Sequence, residues 1–200
     1  MAYTGGVPLS PERETMKRPT YEDVLNAPEN KVAEILDGEL VLSPRPAMRH
    51  SLAASTLGTV VGEPFGRGRG GPGGWWILDE PELHFGLHVV VPDLAAWRRE
   101  RLPSVPAAPW LDLAPDWVCE VLSPSTARID RGRKLRIYAE AGVGHLWLLD
   151  PVEQTLEVLR LREGAWTILD LLTGKAAVRA EPFEAIEIDL GELWPDADPA

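Results

Sequence analysis

The stretch from Val89 to Asp150 constrains the fold more than any other part of the chain. It contains two β-branched and aromatic runs that each carry one acid, Asp93 and Glu120, and a helical run behind them that carries Lys134. A carboxylate in an apolar run is costly to bury unless a cation or hydrogen-bond donors pair with it. Two such acids close to one lysine therefore predict a functional site.

The two acids have a chemical and a structural explanation. If their strands are neighbours, the carboxylates of Asp93 and Glu120 converge, and hard oxygen ligands of this kind suit Mg²⁺ or Mn²⁺. A divalent cation there would polarise a phosphoryl oxygen and acidify water, which predicts phosphodiester hydrolysis. In the structural alternative, Asp93 ends a strand after Pro92 and Glu120 pairs with an arginine. Spacing alone favours the structural alternative.

The helical run has the same two explanations. Asp130, Lys134 and Tyr138 follow one another at four-residue intervals and so share one helix face. An ammonium group aimed at the two acids would hold an attacking hydroxide and stabilise charge that builds on a phosphate. The alternative is a surface Asp130–Lys134 pair, which contributes only about 0.3–0.5 kcal/mol. Taken alone, the surface pair is favoured.

Size and composition place the chain among soluble globular proteins. Its 200 residues are 44% hydrophobic and 26% charged, which is enough for one full hydrophobic core. A single cysteine excludes a disulfide framework, and no apolar run reaches the length of a signal peptide core or a membrane span. These features predict a cytoplasmic protein with no membrane contact.

The net charge of −11 argues against strong nonspecific affinity for nucleic acid, because that affinity depends on cations that neutralise phosphates. The cations are unevenly distributed, however, since five basic residues lie between Arg128 and Arg136. Such a cluster keeps DNA binding open as a function.

Turn signals and periodicity divide the chain into a flexible N-terminal arm over residues 1–19, a domain over 20–194 and a tail over 195–200. Helices are predicted over residues 21–26, 47–63 and 127–141. Strands are predicted over residues 75–79, 82–85, 88–97, 116–122 and 145–150, and a bend or loop after Asp93 is an alternative within the third of them. Hairpins are predicted to turn at Asp37-Gly38 and Glu163-Gly164, with one or two edge strands after Gly174.

The order of these elements predicts the fold class. Strand, helix and strand over residues 116–150 have the order of a βαβ crossover, whereas the hairpins around it are antiparallel. The chain is therefore expected to form an α/β (α+β) domain with a mixed β-sheet flanked by helices.

Three further features predict no site of their own. The glycine-rich segment 66–74 lacks GK[ST] and precedes a strand, which indicates a connection and not a phosphate-binding loop. His84, His88 and His145 lack metal-ligand spacing with the one cysteine, so a zinc site is not expected. Cys119 points to the face of its strand opposite its acidic neighbour and is predicted to be core.

Two blocks of the sequence resemble a known family. VPDLAAW followed by WVCEVLSPSTARIDRGRKLRIYAEAGVGHLWLLDP resembles the Uma-two family, a branch of the PD-(D/E)XK nuclease superfamily described as restriction endonucleases. The upstream AEILDGELVLSP, with His50 beyond it, is similar to that family's N-terminal motif. The likeness covers about residues 20–165, and EVLSPST with the later Asp and Lys is its most specific part.

The resemblance implies a restriction-endonuclease-like core, a Mg²⁺-type ion (or Mn²⁺), and cleavage of DNA phosphodiester bonds. It places Asp93 and Glu120 as the two acids that bind the metal. The superfamily's lysine would stand two positions after the second acid, but Leu122 occupies that position. The resemblance therefore gives the lysine's role to Lys134, and it adds Glu34 as a further catalytic acid that binds metal or water.

Other side chains are weaker candidates for the site. Candidates for contact with substrate are His50, Arg131 and Tyr138. One of three neighbouring acids is a candidate for an additional ligand: Asp79, Glu80 or Glu82. By analogy with enzymes that cut one strand per active site, a homodimer is expected.

Two alternatives to a DNA endonuclease stay open at this point. The net charge and Leu122 favour a catalytically silent nuclease-fold module that binds or regulates. The co-occurrence of the two metal-binding acids with Glu34 and Lys134 favours the enzyme. A metal-dependent hydrolase of small phosphate esters is the third hypothesis.

Overall fold

A computed structural model describes residues 18–194 of the chain. The predicted tail and all but two residues of the predicted arm therefore lie outside the described residues. The helices are α1 (Tyr21–Leu25), α2 (Met48–Val61), α3 (Ala127–Ile129) and α4 (Leu135–Ala141), with π-helical turns at Gly62–Gly66 and Asp130–Lys134 and a 3₁₀ turn at Leu190–Leu193. The strands are β1 (Lys31–Leu36), β2 (Glu39–Pro44), β3 (Trp75–Asp79), β4 (Glu82–Phe85), β5 (His88–Val90), β6 (Leu94–Arg98), β7 (Trp110–Leu111), β8 (Trp117–Val121), β9 (His145–Asp150), β10 (Thr155–Arg162), β11 (Ala165–Thr173), β12 (Ala177–Val178) and β13 (Ile188–Asp189).

Two sheets form most of the strand structure. The first sheet has the order β2-β1-β5-β4-β7, and the second has the order β11-β10-β9-β8-β6-β3. Strands β8 and β9 pair in parallel through the α3–α4 connection, which confirms the predicted βαβ unit. The other pairs of the second sheet are antiparallel. Mixed sheets flanked by helices confirm the predicted α/β fold class.

Both predicted hairpin turns are confirmed. Asp37 and Gly38 join β1 to β2 with φ angles of 55° and 76°, and Glu163 and Gly164 join β10 to β11 with φ angles of 51° and 80°. Two central residues with positive φ are typical of the two-residue turns whose twist matches that of paired strands. The turn residues therefore fix the register of both hairpins.

The predicted strand over residues 88–97 is instead two strands in different sheets. Strand β5 belongs to the first sheet and β6 to the second, with Val91, Pro92 and Asp93 between them. Pro92 lacks the N–H that a continuing ladder needs, so the chain leaves one sheet there and enters the other. We call residues 91–93 the crossing. The bend considered after Asp93 lies at the end of this crossing, but the apolar runs on both sides gave no sign of a change of sheet.

Two smaller expectations also need correction. The predicted helix over residues 127–141 is interrupted by the π-helical turn at Asp130–Lys134. The strands after Gly174 do not extend a main sheet, because β12 and β13 pair only with each other among the described strands. No helix in the described part of the chain has the length and hydrophobicity that crossing a bilayer requires.

The core has two parts, one on each face of the second sheet. On one face, α2 and a C-terminal segment cover the side chains of Trp117, Cys119 and Val121. On the other face, the first sheet and α4 cover Val118 and Leu122. Side chains alternate along a strand, so Glu120 belongs to the second of these faces.

Candidate active site

A cleft with a volume of about 320 Å³ lies where the two sheets, the start of α2 and the α3 region meet. Eight ionisable side chains line it. Arg45 and Glu80 are exposed, and the other six are buried or partly buried: Glu34, His50, Asp93, Glu120, Asp130 and Lys134. Five of these residues are at least nine-tenths buried, and Asp93 is somewhat more exposed. All four residues predicted to act together are therefore brought into one cleft.

The crossing places Asp93 opposite Glu120. Leu94 on β6 pairs with Cys119 on β8, and the next residues along this antiparallel register are Asp93 and Glu120. One carboxylate oxygen of Asp93 accepts a hydrogen bond of 2.7 Å from the backbone N–H of Val121. The predicted proximity of the two acids is thus present, and a backbone donor orients the first of them.

His50, in the first turn of α2, contacts the other oxygen of Asp93. Its Nε2 atom lies 3.2 Å from Asp93 Oδ1, and its buried Nδ1 atom has no hydrogen-bond partner. Burial of the ring acts to lower the pKa of His50, but the hydrogen bond and charge of Asp93 raise it above its usual value. His50 therefore lines the cleft, and its observed partner is an acid.

Lys134 is the cation at the centre of the cleft. Its Nζ atom lies 3.0 Å from Glu34 Oε1 and 3.2 Å from each carboxylate oxygen of Glu120. It also donates a hydrogen bond of 3.2 Å to the carbonyl of Val91. Burial acts to lower the pKa of Lys134, but the negative charges of Glu120 and Glu34 raise this pKa well above its usual value. The side chain is therefore an ammonium group and not a general base.

Glu34 reaches the cleft from the first sheet. Its Oε1 atom accepts a hydrogen bond of 2.8 Å from the N–H of Val91 as well as contacting Lys134. The peptide groups of Val91 thus donate to Glu34 and accept from Lys134. This arrangement joins β1, the crossing and the π-helical turn in one network.

The alternative of a surface Asp130–Lys134 pair is wrong, because only 4% of Asp130 and 5% of Lys134 are exposed. The π-helical turn begins at Asp130 and ends at Lys134, and both side chains line the cleft. Single π-helical turns within helices often occur at functional sites. Asp130 is a site residue that the sequence reasoning missed, although its four-residue separation from Lys134 was the signal that could have identified it.

Glu120 is held from behind by Tyr138. The Tyr138 hydroxyl donates a hydrogen bond to Glu120 Oε1, and the tyrosine is fully buried. Burial raises the pKa of Glu120 well above its usual value, although Lys134 opposes this. The structure therefore places Tyr138 beside Glu120 and not in the cleft, where contact with substrate had been expected.

The remaining candidates fall in different places. Arg131 donates to Glu157 on β10 and does not line the cleft. Glu80 lines the cleft, and Asp79 lines an adjoining cavity. Glu82 contacts His84 at 2.8 Å instead. Of the three neighbouring acids, Glu80 is thus the one within the cleft.

Cys119 is core, as expected. It is fully buried with the aromatic cluster on the opposite face of the sheet. Burial raises the pKa of its thiol well above the usual value, which removes its nucleophilic form at neutral pH.

The carboxylates suit a hard divalent cation. Among residues 18–194, no three His, Cys, Asp or Glu side chains are arranged to hold a metal ion by themselves. Mg²⁺, however, usually takes one or two protein carboxylates and completes its coordination with water and substrate phosphate. Asp93 and Glu120 provide two carboxylates in one cleft, which is compatible with this type of Mg²⁺ coordination.

The charge balance of the cleft also favours a bound cation. Five carboxyl groups line it, whereas its cationic side chains in the described part of the chain are Lys134, His50 and the exposed Arg45. Burial raises the pKa of Asp130 to about 6, although Lys134 and a hydrogen bond from Thr126 lower it. An additional positive charge in the cleft would relieve this excess of negative charge.

Comparisons with known proteins agree with this geometry. Residues 18–191 match the model of the family described as "Uma2: Putative restriction endonuclease". The chain also resembles the crystal structure of a nuclease belonging to DUF820 from Anabaena variabilis, titled putative, with 25% sequence identity and a TM-score of 0.71. That likeness covers 88% of this chain and 98% of the other. No curated protein matches the sequence significantly.

Proposed function

Because the chain belongs to the Uma2 family of restriction endonucleases, we propose that it is a Mg²⁺-dependent (or Mn²⁺-dependent) endonuclease that hydrolyses phosphodiester bonds of DNA. The observation that carries this proposal is the convergence of Glu34, Asp93, Glu120 and Lys134 in one cleft. These residues come from the first sheet, the crossing, the second sheet and the π-helical turn. A purely structural role would not require three carboxylates and a lysine from four elements to share one cleft.

Asp93 and Glu120 are the residues that would hold the cation. Bound there, it would polarise a phosphoryl oxygen and acidify the attacking water. The N–H of Val121 and Nε2 of His50 orient the Asp93 carboxylate, and the Tyr138 hydroxyl orients that of Glu120. Fixed carboxylates lose little freedom when a ligand binds, so the cleft is preorganised.

Lys134 would stabilise the negative charge that builds on the phosphate during attack. Its raised pKa keeps it cationic, and Glu34 and Glu120 hold its Nζ atom in the cleft. Leu122 stands at the position where the superfamily usually has its lysine, and it is buried in the apolar core. Lys134 supplies the ammonium group instead, since it reaches Glu120 from the helix. Glu34 acts as the positioning acid for this lysine.

The direct test is nicking of supercoiled plasmid with Mg²⁺ or Mn²⁺. We expect the wild-type protein to nick the plasmid, and Asp93→Ala, Glu120→Gln and Lys134→Met to reduce the rate by about 10³-fold or more. Circular dichroism would show whether each variant is folded. Equal nicking by all four proteins would indicate a contaminating nuclease and would remove the basis of the proposal.

A catalytically silent nuclease-fold module is the second candidate. It is favoured by the engagement of Lys134 with two acids and a carbonyl, which leaves its ammonium group well satisfied without substrate. DNA binding without metal-dependent cleavage would support this alternative. The predicted homodimer, the cytoplasmic location and the division into arm, domain and tail stay predictions.

A further inference from the structure

Asp130 is a buried acid of the cleft with acceptor positions to spare. The other three carboxylates that are buried or partly buried there each have two donor groups within 3.2 Å. Asp130 has one hydrogen-bond donor among the described residues, the hydroxyl of Thr126, and Lys134 Nζ lies 3.7 Å from its Oδ1 atom. A carboxylate has about four acceptor positions. Asp130 therefore keeps positions for a donor that enters the cleft.

Thr126 holds Asp130 instead of capping its own helix. It stands at the N-cap of α3, where a threonine hydroxyl usually accepts from a backbone N–H of the first turn. Its side chain makes no such bond here. The hydroxyl donates to Asp130 and lies 2.9 Å from the hydroxyl of Ser123. The residue that could cap the helix thus orients the free acid of the cleft.

A chain of three hydroxyls joins Asp130 to the protein surface. Ser123 Oγ lies 2.9 Å from Thr126 Oγ1 and 2.9 Å from Ser125 Oγ, and Ser125 is exposed. Each hydroxyl has one hydrogen, and Thr126 donates its own to Asp130. Ser123 therefore donates to Thr126, and Ser125 donates to Ser123. Reversal of these bonds would carry a proton from Asp130 to solvent.

We propose that Asp130 is the general base that takes a proton from the water attacking the phosphodiester. This inference depends on the proposed nuclease function and adds a proton acceptor to it. The water oxygen bonds to phosphorus while one of its protons moves to Asp130. The bond from phosphorus to the leaving sugar oxygen breaks with its electron pair on that oxygen, which takes a proton from solvent. Asp130 then releases its proton through the three hydroxyls.

The surroundings of Asp130 suit a proton acceptor. Five ionisable groups act on it, from the first sheet, α2, the crossing, the second sheet and the π-helical turn: Glu34, His50, Asp93, Glu120 and Lys134. Burial outweighs the attraction of Lys134 and raises the pKa of Asp130 to about 6. A base with a pKa near the working pH combines an ionised form with affinity for a proton.

The main test is Asp130→Asn, with Asp150→Asn as the matched control. The control makes the same change at the end of β9, and Asp150 does not line the cleft. In single-turnover cleavage at saturating Mg²⁺, we expect Asp130→Asn to be slower by about 10²-fold or more. Asp150→Asn should stay within about twofold of the wild-type rate.

Two readouts besides cleavage show what Asp130→Asn changes. Calorimetric titration with Mn²⁺ should give a Kd within about threefold of wild type, because the cation's carboxylates are Asp93 and Glu120. Thermal unfolding with a chelator should show the variant to be at least as stable as wild type, since a buried acid is replaced by a neutral group. A slower reaction in an equally stable protein is the behaviour of a catalytic residue.

Chemical rescue distinguishes a base from a structural acid. Asp130→Ala leaves space in the cleft for a small base such as formate, acetate or imidazole. We expect its cleavage rate to rise with the concentration of each base, and more steeply for the base of higher pKa when unprotonated forms are compared. Asp93→Ala should show no such order, because a metal ligand does not accept the proton.

Thr126→Val and Thr126→Ser test the hydroxyl that holds the base. Valine keeps the shape of threonine without a donor, whereas serine keeps the donor. We expect Thr126→Val to reduce kcat about tenfold with KM unchanged, because the carboxylate of Asp130 loses its orientation. Thr126→Ser should recover most of this loss. Thr126 is thus a positioning residue that acts through Asp130.

The outcomes separate this inference from the proposed function. If the wild type cleaves and Asp130→Asn cleaves nearly as fast, the role of Asp130 is overturned and the nuclease function stands. Loss of Mn²⁺ affinity in Asp130→Asn would make Asp130 a ligand and overturn its role as base. No cleavage by the wild type would overturn the proposed function and this inference with it. If Asp130→Asn does not fold, equal rates in Thr126→Val and Thr126→Ser would overturn the inference.

Discussion

The two faces of the second sheet differ in what they bury, although strand β8 contributes to both. On one face, Phe183 contacts the rings of Phe65, Trp75, Trp117 and Trp147 with centroid distances of 4.6–5.7 Å. On the other face, the same strand buries Glu120 beside Lys134. We call these the aromatic face and the charged face.

The difference separates stability from chemistry. Aromatic packing contributes large buried areas and favourable ring geometries, so the aromatic face is expected to carry much of the stability. A buried ion network is weak evidence for stability, because desolvation of the charges offsets their attraction. Strand alternation thus lets one five-residue strand serve both purposes, and each face can be altered separately.

The largest expected effect is that of Lys134→Met on the charged face. It should reduce cleavage by about 10³-fold or more and destabilise the fold by about 3–5 kcal/mol, because it leaves Glu34 and Glu120 buried without their cation. Denaturant unfolding and plasmid nicking measure the two effects. Glu120→Gln combined with Lys134→Met should recover part of the stability and none of the activity. Recovery of activity in the double variant would contradict the role given to Lys134.

On the aromatic face, Phe183→Ala should destabilise the protein by about 3–5 kcal/mol, because it leaves a cavity among four rings. Cleavage per folded molecule should stay within about twofold of the wild-type rate when measured well below the unfolding temperature. Thermal unfolding and cleavage assays on the same preparation test this contrast. A loss of activity without a loss of stability would show that the two faces are coupled.

The effect of Asp130→Asn on stability is expected to depend on pH, because Asp130 is buried on the charged face. The pKa of Asp130 is about 6 in the fold and about 3.8 when unfolded, so the folded state binds its proton more tightly. The contribution of Asp130 to the free energy of unfolding therefore falls as pH rises from about 4 to 6, and it stays at the lower value above pH 6. Asn removes this cost, and we expect it to stabilise the metal-free protein by about 1–2 kcal/mol at pH 8 but not at pH 4. Unfolding with a chelator present measures the difference, and equal shifts at both pH values would refute it.

Arg131→Ala should have the smallest effect. Arg131 pairs with Glu157, and because 42% of the arginine side chain is exposed, the pair is expected to contribute about 0–1 kcal/mol. Cleavage and DNA affinity should both stay within about twofold of wild type. A large loss of affinity would instead support the sequence-based hypothesis that Arg131 contacts substrate.

Much of the fold was predictable because its signals are local. The hairpin turns at Asp37-Gly38 and Glu163-Gly164 require positive φ, and the βαβ unit follows from element order. A bend after Asp93 could be considered from the sequence, but the change of sheet between β5 and β6 could not be predicted, because apolar runs stand on both sides of the crossing.

The residues of the candidate site were predictable in part for the same reason. Asp93 and Glu120 stood out as acids in apolar runs, but Glu34 and the helical position of Lys134 came from the family resemblance. The burial of Asp130 was not foreseen, since a four-residue Asp–Lys spacing is equally typical of a solvated helix. Tyr138 was assigned to the right helix face, but its position behind Glu120 depends on tertiary packing.

The crossing limits how this chain can tolerate changes in length. Val91 bonds to Glu34 and Lys134 through its two peptide groups, and the Asp93 side chain bonds to the N–H of Val121. One inserted residue there would shift the following strand by about 3.3 Å and send its side chains to the opposite faces. Insertions at the exposed hairpin turns would leave these bonds in place. Relatives that keep this site are therefore expected to vary in length at the hairpins and to keep a crossing of three residues.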